Sequence, residues 1–272
     1  MRLEGISPNS YTFTCSLKAC ASIGAIHVGK EIHAQISKQG LLLKGDLVLG
    51  NALVDMYAKC GLLRRAKDVF DELFVRDVVT WTALIAGYVQ HGYGEEALKC
   101  LEQMRRDRIS PNSITLSSSL KACGLIGAKD KGIEIHNYIT RKGLLEKDVV
   151  LGTALVDMYA KCGLLAKAQR VFDTLPVRDV VLWNSLITGH ARLGEIEDVL
   201  CLFERMRREG GKPNSITFVS VLNACSHGGL IERGHTYFEY MTKDSGITPT
   251  IEHHTCMVDL LGHADQIERA TS

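Results

Sequence analysis

The sequence repeats itself at a step of about 102 residues, and this constrains the fold more than any other feature. Pro8-Asn9-Ser10 returns as Pro111-Asn112-Ser113 and Pro213-Asn214-Ser215, steps of 103 and 102 residues. Asp55-Met56-Tyr57-Ala58-Lys59-Cys60-Gly61 returns 102 residues later as Asp157–Gly163, and Val79-Thr80-Trp81 returns as Val181-Leu182-Trp183. A period that long exceeds one supersecondary element and should subdivide. It does so into three types of repeat: 10–46, 47–77 and 78–112, then 113–148, 149–179 and 180–214, then 215–250. Their lengths are 37, 31 and 35 residues, then 36, 31 and 35. Residues 1–9 read as the end of a repeat of the third type, and 251–272 as the start of a short one.

Each repeat reads as two helices. In 149–179 the residues Leu155, Val156, Met158 and Tyr159 have helical spacing, Cys162-Gly163 interrupts, and Ala168, Val171, Phe172 and Leu175 resume it. In 78–112 the order is Leu84, Ile85 and Tyr88, then His91-Gly92-Tyr93-Gly94, then Ala97, Leu98, Leu101 and Met104. All five prolines (Pro8, Pro111, Pro176, Pro213, Pro249) fall at the expected turns. Proline inside a helix costs about 3 kcal/mol, so that confinement supports the division. One helical hairpin of this length cannot bury two apolar faces, so neighbours must stack. The expected architecture is all-α, an α-solenoid wound as a right-handed superhelix, with first helices lining one surface and second helices the other.

Composition narrows the function. No apolar run approaches the roughly 20 residues that cross a bilayer, so no membrane partner is expected. Met1-Arg2-Leu3-Glu4-Gly5 carries neither a signal-peptide nor a transit-peptide pattern. Thirty-two Lys and Arg against 31 Asp and Glu leave a net charge of +1, so bulk charge identifies no polyanionic partner. The nine cysteines form no C-x-x-C and no zinc-ligand spacing. Cys20, Cys123 and Cys225 each close a Leu-x-Ala-Cys tetrad, and Cys60 and Cys162 share Tyr-Ala-Lys-Cys-Gly. Recurrence in one register reads as small buried side chains in equivalent core positions, in a reducing compartment. Gly24-Ala25-Ile26-His27-Val28-Gly29-Lys30 matches the start of a phosphate-binding loop, but Glu31 replaces the magnesium-binding hydroxyl and no strand precedes it. It is expected to be an inter-helix turn. His253-His254 beside Cys256 fits no metal-site spacing. No cofactor, no metal and no enzymatic activity is expected.

The repeats resemble a known family. Val78–Asn112, with Val-Val-Thr-Trp-Thr-Ala-Leu-Ile early and Ser-Pro-Asn at its end, resembles a pentatricopeptide repeat. The three alternating lengths are similar to the P, L and S pattern of plant organellar members. Leu-Lys-Ala-Cys at 17–20 and 120–123 is similar to the L signature, and Val-Asp-Met-Tyr-Ala-Lys-Cys-Gly at 54–61 and 156–163 to the S signature. His254–Gly262 is similar to the last S-like motif before the family's C-terminal extensions, although His263-Ala264-Asp265-Gln266 departs from the usual Arg-Ala-Gly. No deaminase-like domain is recognised in these residues, so no editing activity of their own is expected.

The resemblance implies a specificity module in organellar RNA editing or processing, in a mitochondrion or chloroplast. It binds single-stranded RNA at about one base per repeat. Base selection is implied for the fifth and last residues of each repeat: Asn51 with Asp77, Thr82 with Asn112, Thr153 with Asp179, and Asn184 with Asn214. In the L-type repeats the pairs are Thr14 with Asp46, Ser117 with Asp148, and Val219 with Thr250. Base-sandwiching is implied for position two: Val48, Val79, Val150, Val181 and Ile114, with Tyr11 and Ile216 in the other L-type repeats. Phosphate contact is implied for Lys59, Lys161 and Arg192. The implied target is 5′-n-U-A-n-G-Y-n-3′. A separate deaminase or editing factor is an implied partner, and self-association through terminal repeats is a further expectation.

The same residues have another reading. Asn and Asp at a repeat junction are favoured helix N-caps whatever the protein does. Capping does not explain polar residues at position five, inside a helix among apolar neighbours, where Asn and Thr are poor helix formers. Trp81 and Trp183 fall among core positions, which favours packing over base stacking. The competing function is a protein-binding scaffold of the tetratricopeptide type, whose Trp-Leu-Gly-Tyr pattern is absent here.

Overall fold

The computed structural model describes residues 8–42, 45–145 and 148–271, with side chains described as far as residue 262. The described residues form fifteen α-helices and no strand. First helices are α1 (Ser10–Ile23), α3 (Leu47–Lys59), α5 (Val78–Gln90), α7 (Ser113–Ile126), α9 (Val149–Lys161), α11 (Val180–Arg192), α13 (Ser215–His227) and α15 (Ile251–Thr271). Second helices are α2 (Ile26–Lys38), α4 (Leu63–Glu72), α6 (Gly94–Arg106), α8 (Lys129–Arg141), α10 (Leu165–Thr174), α12 (Ile196–Arg208) and α14 (Ile231–Glu239), the last followed by one π-helical turn, Tyr240–Asp244. The result is an α-solenoid of helical hairpins. All five prolines lie outside the helices. The chain divides into two compact units, residues 1–131 and 132–272.

A cap and a break delimit the first helices. Asn9, Asp46, Asp77, Asn112, Asp148, Asp179 and Asn214 each accept a backbone N–H of the helix they precede. Such caps contribute about 1 kcal/mol each. At the other end Gly61 (φ 78°) and Gly163 (φ 70°) take the left-handed conformation that stops α3 and α9 and turns the chain into the second helix. Asp265 stands at the matching position of the last repeat, within α15, and there the helix continues through residue 271. The expected break of a short repeat is therefore absent from the described residues 251–271, because Asp265 stands where a glycine would take positive φ.

In the N-terminal unit α1 packs on α3, α3 on α5 and α5 on α7; in the C-terminal unit α9 packs on α11, α11 on α13 and α13 on α15. First helices thus form one layer within each unit, with α2, α4, α6, α10, α12 and α14 each against its own partner. Trp81 and Trp183 are buried and meet Phe70 and Phe172 edge to face, both at 4.6 Å between ring centroids. They are core residues. Close approach within the layer needs glycine at two points. A Cβ on Gly87 would lie 2.5 Å from the Ala58 methyl, and one on Gly189 would lie 2.8 Å from Ala160.

Two other expectations are refined. The Gly24–Lys30 stretch turns only at Gly24-Ala25; Gly29 and Lys30 are inside α2, and Gly29 packs against the Met56 side chain. Cys20, Cys123, Cys162 and Cys225 are buried and free of disulfides, whereas Cys60 is half-buried and Cys15 and Cys201 are exposed. Burial pushes the Cys100 and Cys225 thiols up to about 11, so both stay protonated and unreactive. No helix among the described residues is long and apolar enough to cross a membrane.

Candidate nucleic-acid interface

Positions two and five of a repeat are three residues apart on its first helix, and so share one face. The position-two residues Tyr11, Val48, Val79, Ile114, Val150, Val181 and Ile216 are all 51 to 77% exposed. An aliphatic or aromatic side chain left in water once per repeat, always in the same register, is a patterned surface rather than scatter. The position-five residues lie deeper. Asn51, Thr153 and Val219 are half-buried, while Thr14, Ser117, Thr82 and Asn184 are 6 to 9% exposed.

The last residue of a repeat caps the next first helix, and in three repeats it also belongs to the network around position five. Asn51 Nδ2 donates to Asp77 Oδ1 at 3.2 Å, and Asn184 Nδ2 donates to Asn214 Oδ1 at 3.0 Å. Thr82 donates to the Val78 carbonyl at 2.6 Å and so accepts from Thr115 at 2.6 Å, whose oxygen also lies 2.8 Å from Asn112 Oδ1. For Asp77 and Asn214, capping and pairing with position five are therefore performed by the same carboxylate or amide. In repeat 149–179 the two residues are not joined: Thr153 donates to the Val149 carbonyl at 3.2 Å, while Asp179 caps α11 through Leu182 N–H at 2.8 Å. Asp46 and Asp148 cap α3 and α9. Burial alone would raise the Asp77 carboxyl, but hydrogen bonds from Thr80 backbone and hydroxyl, Asn51 and Val79 outweigh it and hold it below the usual carboxylate range. Asp77 is thus ionised at neutral pH and accepts only.

In the C-terminal unit these elements converge on an open pocket of about 220 Å³. Its lining includes Asn184, Asn214, Val181, Ile216, Lys161 and Arg192. A hydrogen-bonding pair, two exposed aliphatics from successive repeats and two cations therefore border one space. The cations are not equivalent. Lys161 is paired with Asp157 at 2.7 Å, and Lys59 with Asp55 at 2.8 Å, each across one helical turn. Arg192 has no acidic partner among the described residues.

The network contains residues that the sequence reading did not single out. Thr80, Thr115 and Thr217, third in their repeats, are fully buried and bond to the fifth residue of the repeat before. Their signal was a capping box, Asp77-x-x-Thr80, Asn112-x-x-Thr115 and Asn214-x-x-Thr217. His253 is also buried, with Nδ1 accepting Thr250 N–H at 3.0 Å and Nε2 3.0 Å from the Ser215 carbonyl. It closes the turn into α15. Among the described residues one group has metal-ligand composition, His190, Glu195 and Asp198 at the α11–α12 turn. His190 Nδ1 is already bonded to Glu195 at 2.7 Å, and both carboxylates are solvated.

The PPR repeat family model matches residues 76–124 and 178–227, and the PPR repeat model matches 51–78, 153–180 and 216–245. Among curated proteins, the chloroplastic pentatricopeptide repeat-containing protein CRR2 of Arabidopsis thaliana is 43% identical over 99% of this chain and 42% of its own length. A mitochondrial pentatricopeptide repeat-containing protein of the same plant is 40% identical over all of this chain and 48% of its own length. The chain therefore spans less than half of these relatives. Among solved structures, the pentatricopeptide repeat protein PPR10 in complex with an 18-nt psaJ RNA element superposes with a TM-score of 0.72. Its identity is 20%, over 90% of this chain and 36% of the other, which speaks for the fold. With the two models together matching more than half of its residues, the chain belongs to the pentatricopeptide repeat family.

Proposed function

We propose that this chain binds single-stranded RNA and selects bases repeat by repeat, as a specificity module of the PLS type in organellar RNA editing or processing. The observation that carries the reading is the pocket lined together by Asn184, Asn214, Val181 and Ile216, with Lys161 and Arg192 also bordering it. A flat heterocycle is suited to such a space: aliphatic groups contact its faces, the amides meet its edge, and the cations lie where a phosphate would follow. RNA in the solved complex of the structurally similar PPR10, and the chloroplastic and mitochondrial names of the relatives, support the same direction. The editing or processing chemistry would belong to a separate factor acting on the bound RNA.

Proposed base preferences are uracil for Asn51/Asp77, adenine for Thr82/Asn112, guanine for Thr153/Asp179 and a pyrimidine for Asn184/Asn214. Asn112→Asp tests the register with little disturbance to the fold, because Asn and Asp are about equally good N-caps. The variant should turn the preference of repeat 78–112 from adenine towards guanine in a competition assay with RNAs differing at that base. Unchanged preference for adenine in a folded variant would refute the assignment.

A further inference from the structure

We propose that the third residue of a repeat is a positioning residue for the repeat before it. Thr80 and Thr217 orient the carboxamides of Asn51 and Asn184, and so set how sharply those repeats discriminate bases. The inference rests on the reading that RNA bases meet these carboxamides.

Proton bookkeeping identifies the role. Thr217 Oγ1 accepts Asn214 N–H at 3.0 Å, which leaves the hydroxyl hydrogen to donate. Its nearest acceptor is Asn184 Oδ1 at 2.6 Å, ahead of Asn214 Oδ1 at 3.1 Å. The Thr217 backbone N–H can only donate and points at Asn214 Oδ1 at 3.1 Å, which fixes which end of that amide faces inward. The same oxygen receives Asn184 Nδ2 at 3.0 Å. A closed ring results: threonine holds both amides, and each end of the Asn184 carboxamide has one partner. One N–H and one oxygen lone pair of Asn184 remain.

The ring recurs in the N-terminal unit with different chemistry at the last position. Thr80 Oγ1 accepts Asp77 N–H at 3.3 Å and shares its hydrogen between Asn51 Oδ1 and Asp77 Oδ1, the latter at 2.9 Å, while Asn51 Nδ2 faces both Asp77 oxygens at 3.2 and 3.4 Å. An ionised carboxylate cannot donate, so the amide nitrogen must face Asp77 and the amide oxygen must face Thr80. Without the hydroxyl, the terminal torsion of Asn is soft, and the carboxamide loses the anchor on its oxygen. The chain also contains the contrast. Leu182 replaces threonine after repeat 149–179, and there Thr153 has only its own helix backbone as partner, whereas Thr82 adds the Thr115 hydroxyl to the same kind of backbone bond.

The test compares the unsubstituted chain with Thr80→Val and Thr80→Ser, using RNAs that differ only at the base opposite repeat 47–77. Thr217→Val and Thr217→Ser repeat it for repeat 180–214. Loss of one such hydrogen bond predicts about a three- to tenfold fall in the preference for the favoured base in each valine variant. Discrimination at repeat 149–179 should be unchanged, and serine should restore the preference. Valine also removes a partner of the cap N–H, so melting is recorded alongside; a stability loss alone would lower binding to all RNAs equally and leave the base ratio intact. Folded valine variants whose ratios stay within about twofold of the parent would overturn the role of the threonines, as would failure of serine to restore them. A parent chain with no base preference at either repeat would overturn the RNA reading as well.

Discussion

Position two offers a separation of binding from stability. Val181 and Ile216 border the same pocket and are 56 and 58% exposed, so little of either side chain supports the fold. Truncation to alanine removes two carbons from Val181 and three from Ile216. At about 0.8 kcal/mol per buried methylene, scaled by the fraction still open to be covered, the losses are about 0.9 and 1.4 kcal/mol. Together they predict RNA binding weakened by about fortyfold. The double variant should melt like the parent, because alanine is the better helix former and exposed substitutions usually shift stability by less than about 0.5 kcal/mol. Fluorescence anisotropy with a labelled RNA at fixed salt measures the first quantity and circular dichroism the second. Binding within about twofold of the parent, with unchanged melting, would refute base contact at these side chains.

Three further outcomes follow from the packing and the charges. Gly87→Ala should destabilise the N-terminal unit despite a gain of about 1 kcal/mol in helix propensity, because its Cβ would lie 2.5 Å from the Ala58 methyl and 3.3 Å from Ala58 Cα. Overpacking of this kind costs about 1–3 kcal/mol, read as an earlier urea midpoint, and a later midpoint would contradict the packing. Arg192→Gln should lower the steepness of RNA affinity against salt by about 0.7 on logarithmic axes, as expected for one phosphate contact, and an unchanged slope would remove Arg192 from the interface. Burial lowers the imidazole pKa of His33 and His136, which bond to Tyr57 and Tyr159. Below the ordinary value of 6.5 the unfolded chain takes up protons that these folded histidines resist, so stability should fall as pH drops from 6.5 until they too protonate. Replacing both by Gln should flatten the melting temperature across that range; an unchanged profile would assign the acid loss elsewhere.

The fold was legible because its determinants are local and repeated. Prolines at turns, glycines such as Gly61 and Gly163, and apolar residues at helical spacing all act within a few residues of themselves. The one departure, α15, has the same kind of cause, since Asp265 stands where a helix-stopping glycine recurs. The candidate site was legible in part. Exposure at position two could only be inferred by resemblance, because an isolated Val-Val pair does not reveal which side chain faces water. The pairing of Lys59 with Asp55 and of Lys161 with Asp157 was visible as an i, i+4 spacing, yet its consequence for phosphate contact emerged only with the geometry. Thr80, Thr115 and Thr217 looked like capping residues, and they are; their second bond crosses to another repeat, 29 to 33 residues away, where local pattern is silent.

Selection of RNA from a random pool on the immobilised chain, followed by sequencing, tests the central claim most directly. Recovery of U-A, then one unspecified nucleotide, then G and a pyrimidine is the predicted result. A pool that stays random, or is not retained at all, would contradict base reading by these repeats.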